Sequence, residues 1–122
     1  MSNETEKRAK NNNRLVLGER EVALQDALDH GGAFIDLNPE VSKTLQKNNI
    51  DPYIIYEKAL LQKIEEKIAR IDFVKANVDE LFNEWKGKSY DQAPIYVRLM
   101  MWLKTNASTY GYEQNGNSWV LK

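Results

Sequence analysis

The sequence predicts a mainly α-helical fold: a small helical domain built on one long helix over residues 52–86, with a buried C-terminal helix and a terminal β-hairpin. Three observations predict it. A heptad-like apolar pattern runs from the start signal Asp51-Pro52 to the stop signal Gly87. A second stretch, residues 94–107, is apolar on nearly every side. Asn115-Gly116, the strongest two-residue hairpin signal, separates two runs rich in aromatic residues.

Residues 1–13 are polar and end in Asn11-Asn12-Asn13, so a flexible tail is expected ahead of a single domain over residues 14–122. A first helix is expected over residues 19–29, where Val22, Ala23, Ala27 and Leu28 recur at helical spacing and Gly31-Gly32 follows as a stop. Residues 33–37 are a short apolar stretch, extended or looped. A brief helix over residues 40–47 follows, ended by Asn48-Asn49.

In the long helix, one seam position holds Leu61, Ile68, Lys75 and Phe82, and the other holds Ile64, Ile71, Val78 and Trp85. Leu60, Val74 and Leu81 widen the stripe, which favours packing into a bundle over a two-stranded zipper. A rod of this length would measure about 52 Å, against a radius of gyration of roughly 14 Å for a compact domain of this size. Asn77-Val-Asp-Glu80 reads as a capping box and marks the place for a break. The uninterrupted heptad register favours a continuous helix.

The last helix, residues 94–107, carries Ile95, Val97, Leu99, Met100 and Leu103, interrupted mainly by Arg98 and Lys104. The hairpin over residues 109–121 then places Tyr110, Tyr112, Trp119 and Leu121 on one face. A hairpin alone is marginal in water, so it must dock on the helices or pair with another strand.

The chemistry-bearing residues are sparse. The 122 residues include no cysteine, which removes disulfides, zinc–thiolate sites and thiol nucleophiles together. The net charge of −1 supplies no global field toward nucleic acid or an anionic membrane. Residues 15–60 nevertheless hold eight acids against four bases, behind a mildly basic start. His30 lies at a helix end with no positioned nucleophile, and the acids around it, Asp36 and Glu40, match no metal or calcium spacing. No glycine-rich phosphate cradle is present. Neither a signal peptide nor a membrane-length apolar run occurs, so a cytoplasmic or particle-assembled chain in a reducing compartment is expected.

These features favour a non-enzymatic protein–protein interaction or assembly module, such as a structural or adaptor subunit of a larger complex like a virus particle. No catalytic, cofactor-binding or metal residues are expected. The expected partner-interface candidates are Tyr53, Tyr56, Phe73, Tyr110, Tyr112 and Trp119. The partner is a protein or a second copy, and a membrane is not expected. The alternative is a nucleic-acid-binding regulator, with a helix-turn-helix-like element over residues 41–60 or a winged-helix-like element over residues 93–122. Against it stand Lys58 as the only early base of the would-be recognition helix, and Lys122 as the hairpin's only base.

Overall fold

In the computed structural model, which describes residues 13–35, 37 and 39–122, the chain folds as five α-helices and a five-stranded mixed sheet. This corrects the mainly α-helical expectation with its isolated hairpin. The hairpin strands belong to the sheet, and part of the supposed long helix is one of its central strands. The expected tail over residues 1–13 falls, except for Asn13, outside the described residues.

The first strand, β1 (Arg14–Leu17), buries Leu15, Val16 and Leu17 in succession. Such a run suits a central strand covered on both faces. Its neighbours β2 (Ala33–Phe34) and β3 (Arg70–Phe73) are both parallel to it. Helix α1 (Arg20–His30) connects β1 to β2, and helices α2 (Pro39–Lys47) and α3 (Tyr53–Glu65) lead on to β3. After β3 come α4 (Val78–Trp85) and α5 (Ile95–Asn106). Strands β4 (Tyr112–Asn115) and β5 (Ser118–Leu121) close the chain, with β5 returning antiparallel to β3. The strand order is therefore β2-β1-β3-β5-β4.

Strand alternation divides the core. Leu15, Leu17, Ile71, Phe73 and Trp119 belong to the main cluster, with Leu60 and Ile64 of α3 and Met100 and Leu103 of α5. Val16 belongs to a smaller one, with Ala23 and Ala27 of α1. From α3 onward the order is helix, strand, two helices and a hairpin whose last strand lies beside the first. That is winged-helix connectivity, extended beyond β3 by β1, α1 and β2.

The expected helix over residues 52–86 is three elements. Helix α3 ends at Glu65, Lys67 adopts φ 61°, and β3 begins at Arg70. The chain turns again at Lys75, φ 49°, and Asn77 caps α4 by accepting a hydrogen bond from the Glu80 amide at 3.0 Å. Lys75, the one polar residue of the heptad seam, is a turn residue. The apolar seam residues are all buried or half-buried even so. A continuous rod would project most of them beyond anything the chain can cover. Broken into helix, strand and helix, they meet around one core, and the β3 backbone is paired on both edges.

Candidate functional site

Helices α2 and α3 are joined by a tight turn. Asn49 takes the left-handed conformation at φ 58°, and the Ile50 amide donates to the Leu45 carbonyl at 2.9 Å. Asp51 Oδ1 then accepts from the Tyr53 amide at 3.0 Å and starts α3. The pair is unevenly packed. Helix α3 buries Tyr53, Leu60 and Ile64, whereas α2 buries no residue at all. Val41, Ile50, Ile54 and Ile55 are each between 40 and 46 % exposed. In the helix-turn-helix reading of this segment, Leu45, Ile50 and Ile55 are the packing residues. Leu45 is half-buried, and the other two face solvent.

The six aromatic candidates separate. Tyr53, Phe73, Tyr112 and Trp119 are buried in the main core. Phe73 lies on β3, not on the outer face of a helix, with its ring 6.0 Å from that of Tyr96. The Tyr112 hydroxyl donates to the Ile68 carbonyl at 2.6 Å. Tyr56 is half-buried, its hydroxyl accepting from the Leu37 amide at 3.2 Å. Tyr110 is exposed and stacks on Trp102, with ring centres 5.9 Å apart. Sequence reasoning missed the four exposed aliphatics because it looked for aromatics outside a helical stripe. The available signal was the α2 pair Val41 and Leu45, a narrow apolar edge on a short helix.

Two ionic centres brace the fold. Arg98, buried on α5, places Nη2 2.6 Å from Asp51 Oδ2 and its guanidinium centre 4.2 Å from the Tyr53 ring centre. The hydrogen bond from Arg98 holds the Asp51 carboxyl below its ordinary pKa. On the α1 side of the sheet, Asp72 is buried between Arg14 and Arg70 and accepts from the Ser118 hydroxyl at 2.6 Å. Burial pushes the Asp72 pKa up, but hydrogen bonds from Ser118, Arg14 and Arg70 outweigh it and the net direction is down. Arg14 Nη2 also lies 2.7 Å from Asp26. Each carboxylate is matched to cations, which makes these centres struts between elements.

A cleft of about 270 Å³ opens at the carboxyl ends of β1 and β2. Its floor is Val16 and Leu17, and Phe34 and Ile35 form one wall. Tyr56 of α3 and Ile95, Tyr96 and Leu99 of α5 form the other. Gly18 lies at its edge with φ 146°, where a Cβ would come within 3.0 Å of the Val74 carbonyl oxygen. Tyr96 also lines a second, more polar hollow beside Glu19, Lys75 and Glu80.

His30 ends α1 and Glu40 lies in the first turn of α2, both exposed; Asp36 falls outside the described residues. Among the described residues, no group of three or more His, Cys, Asp and Glu is placed to hold a metal ion. No helix among them is long and apolar enough to cross a membrane. Comparisons with protein-family models, with curated proteins and with solved structures found no match.

Proposed function

We propose that this chain is a non-enzymatic assembly module that joins a second copy of itself through the α2–α3 surface. The observation that carries the reading is α2 itself: nine residues with none buried, followed by exposed Ile50 in the connecting turn and exposed Ile54 and Ile55 at the start of α3. Clustered exposed aliphatics of this kind mark an interaction surface more often than scattered single ones do. The same two helices carry Glu40 and Glu57 beside Lys43, Lys47 and Lys58. A surface holding both signs can be complementary to itself, as a two-fold interface requires.

Sedimentation velocity across a concentration series tests it. The wild type is expected to self-associate, and Ile50→Glu with Ile54→Glu to sediment as a monomer whose melting temperature matches that of the wild type at dilutions where it is monomeric. A wild type that stays monomeric at every concentration overturns the reading.

The second reading, a nucleic-acid-binding regulator, draws on the winged-helix connectivity. Phosphate binding needs several available bases on the groove-facing helix. Helix α5 has two, with Arg98 engaged by Asp51 and Lys104 by Asp79, the latter at 2.7 Å. Salt-dependent binding of duplex DNA, lost on charge reversal at Lys43, Lys47 and Lys58, would favour it over assembly.

A further inference from the structure

The hairpin turn leaves a reactive pair of residues exposed. Asn115 and Ser118 pair across β4 and β5, so the two residues of the turn itself are Gly116 and Asn117. Gly116 is left-handed at φ 63° and Asn117 is not, the φ pattern of a type II′ turn. Asn115, Gly116 and Asn117 are all exposed, and a Cβ placed on Gly116 would meet nothing within 4 Å.

An asparagine followed by glycine can react with its own backbone. The Gly116 amide nitrogen gives its proton to solvent and attacks the side-chain carbonyl carbon of Asn115. A C–N bond forms, the Cγ–Nδ2 bond breaks, and the side-chain nitrogen leaves as ammonia after taking a proton from water. Water then opens the resulting succinimide at either carbonyl, leaving aspartate or isoaspartate. The net exchange is one water taken up for one ammonia lost, with no oxidant or cofactor. Glycine favours the step because it has no side chain to crowd the attacking nitrogen.

Hydrogen bonding singles out this asparagine. The attacking amide has to be free, and among the described residues no hydrogen bond engages the Gly116 amide or the Asn115 side chain. The amides after Asn48, Asn49, Asn77 and Asn106 donate to Gln46, Leu45, Asn117 and Leu103. The amide after Asn117 belongs to Ser118, within the β4–β5 ladder.

Position sets the consequence. Isoaspartate carries the main chain through the former side-chain carbonyl and makes it one methylene longer. Just beyond that bond, the Asn117 carbonyl accepts from the Phe73 amide at 2.8 Å and Asn117 Oδ1 from the Val78 amide at 2.9 Å. The Ser118 hydroxyl donates to Asp72 at 2.6 Å. These contacts fasten the hairpin to β3 and to the start of α4. Turn type and loop length fix hairpin register, so a longer turn displaces them. We propose that Asn115 is a self-modifying site, and that isoaspartate formed there lengthens the turn and releases its hold on α4.

The test holds the intact chain at neutral pH and follows it by peptide mass spectrometry, with isoaspartyl methyltransferase labelling to separate isoaspartate from aspartate. Asn115 is expected to convert, mainly to isoaspartate, about tenfold faster than Asn117, whose following amide must first leave a ladder hydrogen bond. In the converted fraction the Val78 amide should exchange with solvent about tenfold faster, the loss of one hydrogen bond, with the α1 amides unchanged. Asn115→Asp supplies the new charge without the added methylene and should exchange as the wild type does. Asn115→Gln should form no isoaspartate at the turn. An Asn115 that stays unmodified in the folded chain overturns the site. Val78 exchange that conversion leaves unchanged, or that Asn115→Asp raises equally, overturns the release of α4.

Discussion

Helix α5, with eight apolar or aromatic residues in twelve, and helix α2, with only Val41 and Leu45 besides its proline in nine, have opposite fates. Helix α5 buries Val97, Arg98, Leu99, Met100 and Leu103, and touches β-strands, α3 and α4 through the main core. Helix α2 carries Val41 and Leu45 on one edge and buries nothing. The difference lies in what surrounds each helix, not in the apolar residues alone. Helix α5 packs against α3 and α4 within the main core, while α2 is held mainly by its connections to β2 and α3. One helix therefore defines the fold, and the other lies on its surface.

The largest expected effect tests the α5 side of that contrast. Leu103→Ala removes a side chain that is 1 % exposed at the centre of the main cluster. It should cost about 2–5 kcal/mol in urea unfolding, from lost transfer energy and the cavity left behind. A cost below about 1 kcal/mol would mean that the α5 core repacks freely, and the contrast with α2 would weaken.

Next comes the strut beneath the sheet. Asp72→Ala leaves Arg14 and Arg70 without their shared carboxylate, and should cost about 2–3 kcal/mol. That is below the roughly 3–5 kcal/mol of a fully buried pair, because Arg70 keeps half its side chain in water. The pH dependence follows from the sign of the shift. The folded-state pKa of Asp72 is lowered, so its contribution is complete above the unfolded value of about 3.9 and fades as pH falls through the lower folded value. Acid titration of stability should show wild type and Asp72→Asn converging below that range. Curves that stay parallel would remove the pair from the account.

The break between α3 and α4 shows how much of the fold was legible. The Asn77 capping box is readable in the sequence, and the structure uses its Asn77 half, the side-chain oxygen accepting from the Glu80 amide. Lys75, the seam's one polar residue, was the second sign of a turn. Both were outweighed by a heptad register that a helix–strand–helix segment reproduces by chance, since every apolar residue must be buried in either arrangement. The sheet was harder to see. Strand β1 has four residues and β2 two, and their pairing partners lie up to 56 positions away. Strand order follows from which long-range pairs close the core, and no local pattern records that. Beyond the Val41–Leu45 edge, the candidate surface was hard to read for the same reason. Exposure of Ile54 depends on what fails to cover it. Asn77→Ala is expected to cost about 1 kcal/mol, the usual loss of a cap. The cost is held there because Asn117 Oδ1 still accepts from the Val78 amide at 2.9 Å.

The smallest effects are expected on the α2–α3 surface, and they sharpen the contrast most. Val41→Ala and Ile54→Glu alter exposed side chains and should change stability by no more than about 0.5 kcal/mol. Amide hydrogen exchange gives the same contrast without mutation. The amides of α5 should exchange only through global unfolding, and those of α2 through local opening at far lower free energy. If the assembly reading is right, this difference depends on concentration, because a second copy seated on α2 and α3 removes their amides from solvent and adds binding energy to local stability. Protection of α2 should then rise with protein concentration in the wild type and stay flat in Ile50→Glu/Ile54→Glu, while α5, which opens only with the whole fold, gains no more than the same binding energy. Slow exchange in α2 at the lowest concentration would show that the helix is stabilised within its own chain. The aliphatics beside it would then be ordinary surface.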